Sequence, residues 1–262
     1  MRAGDVLLLV AIATGTALSV IDAVTGGAVQ AFAQENLYNF GRKAGTVLGW
    51  VGLVASPFLV VPLIAAIWGR FSRLPSPVAT LLRTAIRVID SVNTATGDAV
   101  RWFALGLVIV TATVVVQRYV FGIASTPLQE SVIYMHALLF LLSSAATLLA
   151  DGHVRVDIIY AKLSRRGKAW TDLAGVYLAL IPMCWLILAI SGPYVNATWR
   201  ILERSRESDG LAFVFLLKTA IPVFAVMMIF QGAAMAARAA LAIAGQARLL
   251  DIDGVEMRER GV

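Results

Sequence analysis

One short stretch of the chain, LLADGHVRVDIIYAKLSRRGK from Leu148 to Lys168, holds residues that could bind a metal ion or handle protons. Imidazole and carboxylate groups are metal ligands, and a histidine close to carboxylates can also exchange protons. The alternative is that the stretch is the polar turn at the end of a helix, with a structural role. The four residues concerned are Asp151, His153, Arg155 and Asp157.

The only other histidine is His136. On one helix the two histidines would be separated by roughly 25 Å, so they cannot both ligate one haem within a chain. His136 lies in an apolar run without a charged neighbour, which favours a neutral imidazole bonded to a neighbouring helix. The sequence contains no P-loop, dinucleotide fingerprint, nucleophile elbow or HExxH zinc helix. We therefore expect no catalytic residue, metal or cofactor.

The composition is that of an integral membrane protein. The 262 residues are 59% hydrophobic and only 15% charged, against about a quarter charged in soluble domains. The net charge of +6 would suggest nucleic acid for a soluble protein. Here the basic residues stand between long apolar runs, so they indicate membrane topology and no nucleic-acid partner. The single cysteine, Cys184, is expected to be buried.

Six apolar runs predict about six transmembrane helices in an all-α protein. The first run is short and resembles a secretory signal as well as a membrane helix, and we favour the helix. With six spans, most of the 22 Lys and Arg residues fall on the side of the termini, which places both termini in the cytoplasm. The runs are Val6–Ile21, Ala44–Trp68, Trp102–Gln117, Ser131–Ala150, Leu173–Gly192 and Leu211–Ala237.

This topology places the stretch after Leu148 at the cytoplasmic membrane edge. One histidine and two aspartates at a wet edge are a poor metal site, which needs at least three convergent ligands and a dry cavity. We therefore interpret Asp151, His153, Arg155 and Asp157 as a structural cytoplasmic motif, in which Arg155 pairs with the aspartates. The basic residues that follow suit an anionic leaflet.

Two segments between the spans have their own patterns. The segment Ser76–Val100 is too charged to span a membrane, and its helical periodicity predicts an amphipathic helix lying in the cytoplasmic interface, membrane lipids being its partner. Its alternative is a polar loop. Outside the membrane, WRILERSRESDG predicts a short charged helix ending at Gly210. The polar residues Arg83, Arg87, Asp90 and Ser91 cover another part of the helical wheel than the apolar stripe of Val78, Leu82, Ala85, Ile89 and Val92.

From about Leu82 to Ala240 the sequence resembles the small, DctQ-type membrane subunit of tripartite ATP-independent periplasmic (TRAP) transporters. The matching pieces occur in order: VIDSVNTATGDAVRW, VVQRYVFG, PLQESVIYMHALLF, ATLLADGHVRVDIIYAKLSRRGKAW, DLAGVYLALIPM, WRILERSRESDGL and FLLKTAIPVFAVMMIFQG. The resemblance implies a four-helix family domain over 101–242. This domain would follow an N-terminal extension over 1–75 and the interfacial arm helix over 76–100, and precede a polar tail over 243–262.

The resemblance also implies a role. In this family the small subunit braces a large subunit that carries the substrate and sodium sites and moves as an elevator, and a periplasmic binding protein delivers the substrate, often an organic acid. Such a subunit lies in the bacterial inner membrane and is no enzyme. The competing hypotheses are a free-standing membrane redox protein or enzyme and an independent six-span carrier. The implied partner contacts are Glu130, Ser143, Ser144, Gly175, Glu203, Arg204, Arg206 and Glu207, with Glu130 alternatively capping its helix.

Overall fold

A computed structural model describes residues 2–26, 28–29, 31–32, 35–36, 44–152 and 157–247. These residues form helices and no strand, which confirms the expected all-α class. Their apolar runs are long enough for helices, which satisfy most backbone hydrogen bonds locally, as a lipid environment requires. Proline nevertheless stands inside long helices, as at Pro193 and Pro222. In chain order the helices are α1 (Ala3–Val24), α2 (Ala44–Phe71), α3 (Ser76–Val100), α4 (Trp102–Val120), α5 (Thr126–Leu149), α6 (Asp157–Tyr160), α7 (Arg165–Gly175), α8 (Ile181–Arg200) and α9 (Val214–Ile243).

Within the described residues, four helical stretches are long and apolar enough to cross a membrane: Ser76–Val120, Thr126–Leu149, Arg165–Arg200 and Val214–Ile243. Shorter apolar helices lie near the N-terminus, at Ala3–Gly15 and Leu59–Phe71. The chain is therefore a multi-pass membrane protein. That α1 is a retained membrane helix stays a prediction.

A π turn, Val176–Leu180, joins α7 to α8. Within it the Ile181 N–H donates to the Val176 carbonyl, five residues back. The next residue is Pro182, which has no N–H and whose ring would clash with a carbonyl in the preceding turn. A π turn at this point accommodates the proline and lets the helix continue.

The chain forms two compact units. The first comprises Met1–Gly49, Ala95–Ser143 and Ala189–Phe224, and the second comprises Trp50–Thr94, Ser144–Leu188 and Ala225–Val262. In the first unit Val195, Trp199 and Phe215 form a buried apolar cluster.

The second unit is built on the alanine-rich end of α9, where small side chains allow helices to approach closely. Gly69 of α2 packs there against Ala244, whose Cβ would lie 2.8 Å from an added Cβ. Gly232 similarly meets Leu180 at 2.7 Å. The Tyr177 hydroxyl donates to the Leu59 carbonyl, which joins the α2 helix to the π turn. Cys184 is buried, as expected.

Candidate partner-binding surfaces and the contacts that position them

The loop after α8 is held by three charged side chains and their partners, and we call this arrangement the outer clasp: Glu130, Glu203, Ser205, Leu211 and Lys218. One Glu130 carboxylate oxygen accepts the Ser205 hydroxyl, and the other accepts the Leu211 N–H at 2.6 Å. Lys218 donates to both oxygens of Glu203, at 2.7 and 2.6 Å. Hydrogen bonds that involve charged groups are stronger than those between neutral groups. The clasp therefore fixes the loop near its start, at Glu203 and Ser205, and near its end, at Leu211.

The short charged helix expected up to Gly210 does not form. Helix α8 ends at Arg200, and Leu202 adopts the left-handed conformation with φ of 45°. The Glu203 N–H donates to the Thr198 carbonyl at 3.0 Å, as in a Schellman ending. The side chain of Leu202 packs on the cluster of Val195, Trp199 and Phe215. The packing of Leu202 therefore accompanies the end of α8, and the charged segment that follows is a loop where a helix was expected.

Two of the expected outer contacts have partners within the chain. Glu203 is paired with Lys218, whose ammonium also lies 4.5 Å from the centre of the Tyr194 ring. Glu130 is the fifth residue of α5 and binds the loop, so the expectation that it caps its own helix is corrected. The remaining outer residues, Arg204, Arg206 and Glu207, are exposed on the loop.

The other expected contacts lie on helix surfaces. Ser143 and Ser144 are half-buried on α5, and Gly175 is exposed at the end of α7, where an added Cβ would meet no atom within 4 Å. His136 is also exposed, with its ring centre 5.0 Å from that of Phe140 one turn later. Among the described residues His136 makes no hydrogen bond, so the expected bond to a neighbouring helix is absent there.

Helix α3 carries a polar seam: Asp90 and Asn93, which meet Arg238 and Gln231 of α9. Asn93 and Gln231 are almost completely buried, and the Asn93 amide donates to the Gln231 oxygen at 2.7 Å. Arg238 donates to one oxygen of Asp90 in a salt bridge. The other Asp90 oxygen and the Gln231 amide nitrogen are buried with no hydrogen-bond partner among the described residues. The seam ties the amphipathic helix to α9.

The seam changes the expected surroundings of one residue of α3, Asp90. Asp90 was expected to face water beside Arg83 and Arg87, whereas it faces α9. Arg83 donates to the Gln246 carbonyl at 2.8 Å, and Arg87 is exposed and bonds to its own helix. Of the apolar stripe expected to lie in the membrane interface, Ala85 and Val92 are not covered by the chain, as lipid-facing side chains would be, whereas Leu82 is buried within it together with Ala79, Ile86 and Asn93. That α3 lies in the membrane interface stays a prediction.

Sequence reasoning missed Gln231, although the signal was present. A polar residue inside an otherwise apolar span is a functional or structural candidate by default. Gln231 lies within the predicted span Leu211–Ala237. Its role here is structural, because its amide oxygen is used by Asn93.

The first turn of α1 is joined to the corner between α3 and α4 by an N-terminal clasp: Arg2, Asp5, Asp98, Arg101 and Trp102. Arg101 donates to Asp5 at 2.9 Å and to Asp98 at 3.2 Å, and Arg2 donates to Asp98 at 3.1 Å. The Trp102 indole donates to Asp5 at 3.0 Å. Hydrogen bonds from Trp102 and from the Arg2 backbone, and then Arg101, lower the pKa of Asp5 to about 2. The hydrogen bonds and ion pair of the Asp5 carboxylate therefore stabilise the folded state above pH 3.8. This stabilisation is lost as the pH falls from 3.8 through about 2, where Asp5 becomes protonated in the folded state.

Gly4 lets the N-terminal clasp form. A Cβ at this position would lie 2.6 Å from the Asp98 Cβ and 2.7 Å from the Ala99 nitrogen, which are rigid parts of α3. We expect Gly4→Ala to displace the first turn of α1, at a cost of about 1–2 kcal/mol. The displacement is measured as faster amide exchange in the first turns of α1. Gly15→Ala is the matched control, because an added Cβ there meets nothing within 4 Å; equal effects at both glycines would contradict the close packing.

Asp151, from the stretch first considered for chemistry, ends helix α5. Its φ is 55°, and the Gly152 N–H donates to the Thr147 carbonyl at 2.9 Å, again as in a Schellman ending. Aspartate is one of the few residues other than glycine that tolerates this left-handed conformation. His153 and Arg155, and the side chain of Asp157, lie outside the described residues, so their pairing and the structural-motif interpretation stay predictions.

Substitutions at Asp151 separate backbone conformation from charge. We expect Asp151→Val to destabilise the protein by about 1–2 kcal/mol, because a β-branched residue is strained in the left-handed region. Asp151→Gly should be neutral or stabilising, because glycine adopts this conformation freely. Thermal unfolding in detergent measures both. If the two variants were equally destabilised, the carboxylate rather than the backbone would be the important feature.

Within the described residues, no group of three or more His, Cys, Asp or Glu side chains converges as a metal site. The polar contacts described above, in the two clasps and the polar seam, join helices and loops to one another. A family model described as "Tripartite ATP-independent periplasmic transporters, DctQ component" matches residues 107–242, which is more than half of the chain. The matched region begins within α4 and ends within the last turn of α9, so it leaves out α1, α2 and α3. No curated protein and no solved structure matches the chain.

Proposed function

Because this chain belongs to the DctQ component family of the TRAP transporters, we propose that it braces the large membrane subunit of such a transporter in the bacterial inner membrane. As a TRAP component the chain is part of a transport system. The proposal adds the mechanical role, with the elevator motion, substrate binding and sodium coupling assigned to the large subunit. Both termini are proposed to be cytoplasmic and the outer clasp periplasmic.

The observation that carries this proposal is how little of α4 and α5 is covered by the chain itself. No residue of α4 is buried, and on α5 only Ala145 is. Lipid can contact part of the exposed apolar surface of such helices, and a second membrane protein can bury the rest. A subunit that works alone as a carrier would be expected to enclose polar groups for its substrate between its helices. Asn93 and Gln231, two buried polar residues between α3 and α9, bond to each other.

The outer loop supports a second part of the proposal, docking of the periplasmic binding protein. The outer clasp holds the loop at Ser205 and Leu211, while Arg204, Arg206 and Glu207 stay exposed. Exposed charges of both signs on a fixed loop suit a transient protein partner, since charge complementarity mainly sets the association rate and the orientation. The transported solutes are proposed to be organic acids or related compounds.

Co-purification and uptake test the proposal. An affinity tag on this chain should recover a much larger membrane protein, and uptake by reconstituted vesicles should require this chain, that protein and a periplasmic binding protein together. Arg204→Glu with Arg206→Glu should slow uptake at low binding-protein concentration and leave the complex intact, and the pair Arg165→Glu with Arg166→Glu, also exposed, serves as a charge-matched control elsewhere. A chain that purifies alone and whose deletion leaves uptake unchanged would refute the bracing role.

A further inference from the structure

An apolar groove lies at the C-terminal end of α2, outside the region that matches the family. Its volume is about 460 Å³, and it is lined by Ile64, Ile67, Trp68, Phe71 and Ser72. The apolar members recur at helical spacing along one face. At 1.5 Å per residue the groove runs for about 12 Å along the helix, so its occupant is elongated and lies beside the helix. Trp68 and Phe71 remain 54% and 85% exposed, so the chain itself does not cover the groove.

Charge is strongly one-sided at this end of α2. No Asp or Glu occurs between Glu35 and Asp90, whereas Arg70, Arg73, Arg83 and Arg87 all fall within this interval. Arg70 and Arg73 are exposed, and they form no salt bridge among the described residues. An apolar groove that ends beside two exposed arginines fits a molecule with an apolar chain and an anionic head.

The turn that carries the arginines is held rigidly. Gln246 clamps Leu74, accepting its N–H and donating to its carbonyl, both at 3.1 Å. Gly69 packs closely on Ala244, so α2 cannot shift away from α9 without losing this contact. Ser72 and Arg73 therefore stand between two fixed points. Because the backbone that carries the two arginines is already in place, ligand binding has to order only their side chains.

We propose that this groove binds an anionic phospholipid, with an acyl chain along Ile64, Ile67 and Trp68 and the phosphate headgroup at Arg70 and Arg73. The end of an apolar helix is a membrane–water boundary, where tryptophan and arginine are the residues that contact lipid headgroups. Basic pockets beside membrane helices bind acidic headgroups in this way. The lipid would cover the exposed face of α2 and secure the C-terminal part of this helix within the second unit.

Native mass spectrometry of the full-length chain tests the proposal. The protein is released from nanodiscs that contain equal amounts of dioleoyl phosphatidylglycerol and dioleoyl phosphatidylcholine. We expect retained phosphatidylglycerol, and we expect Arg70→Gln with Arg73→Gln to weaken its binding about thirtyfold, at about 1 kcal/mol per arginine. Arg204→Gln with Arg206→Gln removes the same charge from another exposed segment and should leave binding unchanged. Equal retention of both lipids, or equal effects of the two pairs, would overturn the proposal.

Two further variants separate the groove from the headgroup and from other occupants. Phe71→Ser should lower the retention of phosphatidylglycerol, whereas Phe121→Ser, at a comparably exposed phenylalanine after α4, should not. Excess inorganic phosphate at constant ionic strength should not displace the lipid, because it has no acyl chain; displacement would overturn the proposal. A chain lacking residues 248–262 should retain the lipid as the full chain does, and lipid binding seen only after this truncation would assign the groove to the tail.

Discussion

Replacing Arg238 with alanine is expected to lower the free energy of unfolding by about 3 kcal/mol, because it leaves the Asp90 carboxylate partly buried and unpaired. The side chains of Asp90 and Arg238 are 24% and 22% exposed, which places the effect at the lower end of the range for buried pairs. Arg87→Ala is the matched control. It removes an exposed arginine that bonds only to its own helix, and we expect a change within about 0.5 kcal/mol. Denaturant unfolding in detergent micelles measures both.

A double variant separates the salt bridge from the rest of the polar seam. Asp90→Leu with Arg238→Met removes both charges and replaces them with apolar groups, so most of the stability should return. The losses in free energy of unfolding of Asp90→Leu alone and Arg238→Met alone give the comparison. If the double variant lost the sum of these two, the residues would act independently and the pair would not hold α3. Faster amide exchange in α3, with α5 unchanged, would show that the lost contact is local to the seam.

Replacing Glu130 with glutamine is expected to release the outer loop. Glutamine keeps one acceptor oxygen, and its NH2 group is a donor. The two carboxylate oxygens of Glu130 accept from Ser205 and from the Leu211 N–H, whereas the single glutamine oxygen cannot accept from both. The loss of one charge-assisted hydrogen bond is worth about 2 kcal/mol, which corresponds to an open population about thirtyfold larger. Trypsin reports this opening directly, because Arg204 and Arg206 lie in the loop. We expect cleavage there to accelerate by a similar factor while cleavage elsewhere is unchanged.

Glu207→Gln is the control for the loop. It removes the same charge from an exposed position three residues before Gly210, so the trypsin sensitivity of the loop should stay as in the unmodified chain. If Glu207→Gln accelerated cleavage as much as Glu130→Gln, general loop charge rather than the clasp would control opening. If neither had an effect, Lys218 and Glu203 would be sufficient to hold the loop. Either outcome would contradict the dominant role given to Glu130.

The two sites have different consequences for a transporter subunit. The polar seam joins α3, which lies outside the family match, to the matched helix α9. Its loss is expected to weaken the proposed bracing of the large subunit, which is measured as a lower yield of the intact complex. The outer clasp shapes the surface proposed to receive the binding protein. Its loss should slow substrate delivery while the complex stays assembled, so the two proposed roles can be tested separately.

The all-α class and the positions of the last four of the six predicted spans, from Trp102 onward, were determined by the sequence alone. A run of about 20 apolar residues has few options in lipid, where every backbone polar group needs an internal partner. The ends of α3 at Ser76 and Val100 follow from periodicity and from the prolines that precede it. The family was recognisable because its sequence pieces occur in order along the chain. Apolar runs, helical periodicity and sequence pieces are all local properties of the chain.

Only the tertiary structure decided which polar residues meet. Asp90 and Asn93 were assigned to water or left unassigned because nothing near them in the sequence could satisfy them. Their partners on α9 are 148 and 138 residues away. The same holds for Glu130, whose bond to Leu211 spans 81 residues. Hydrophobicity and helix periodicity act between neighbours and can be read along the chain, whereas a hydrogen bond between two helices depends on the rotation and depth at which the packed helices meet.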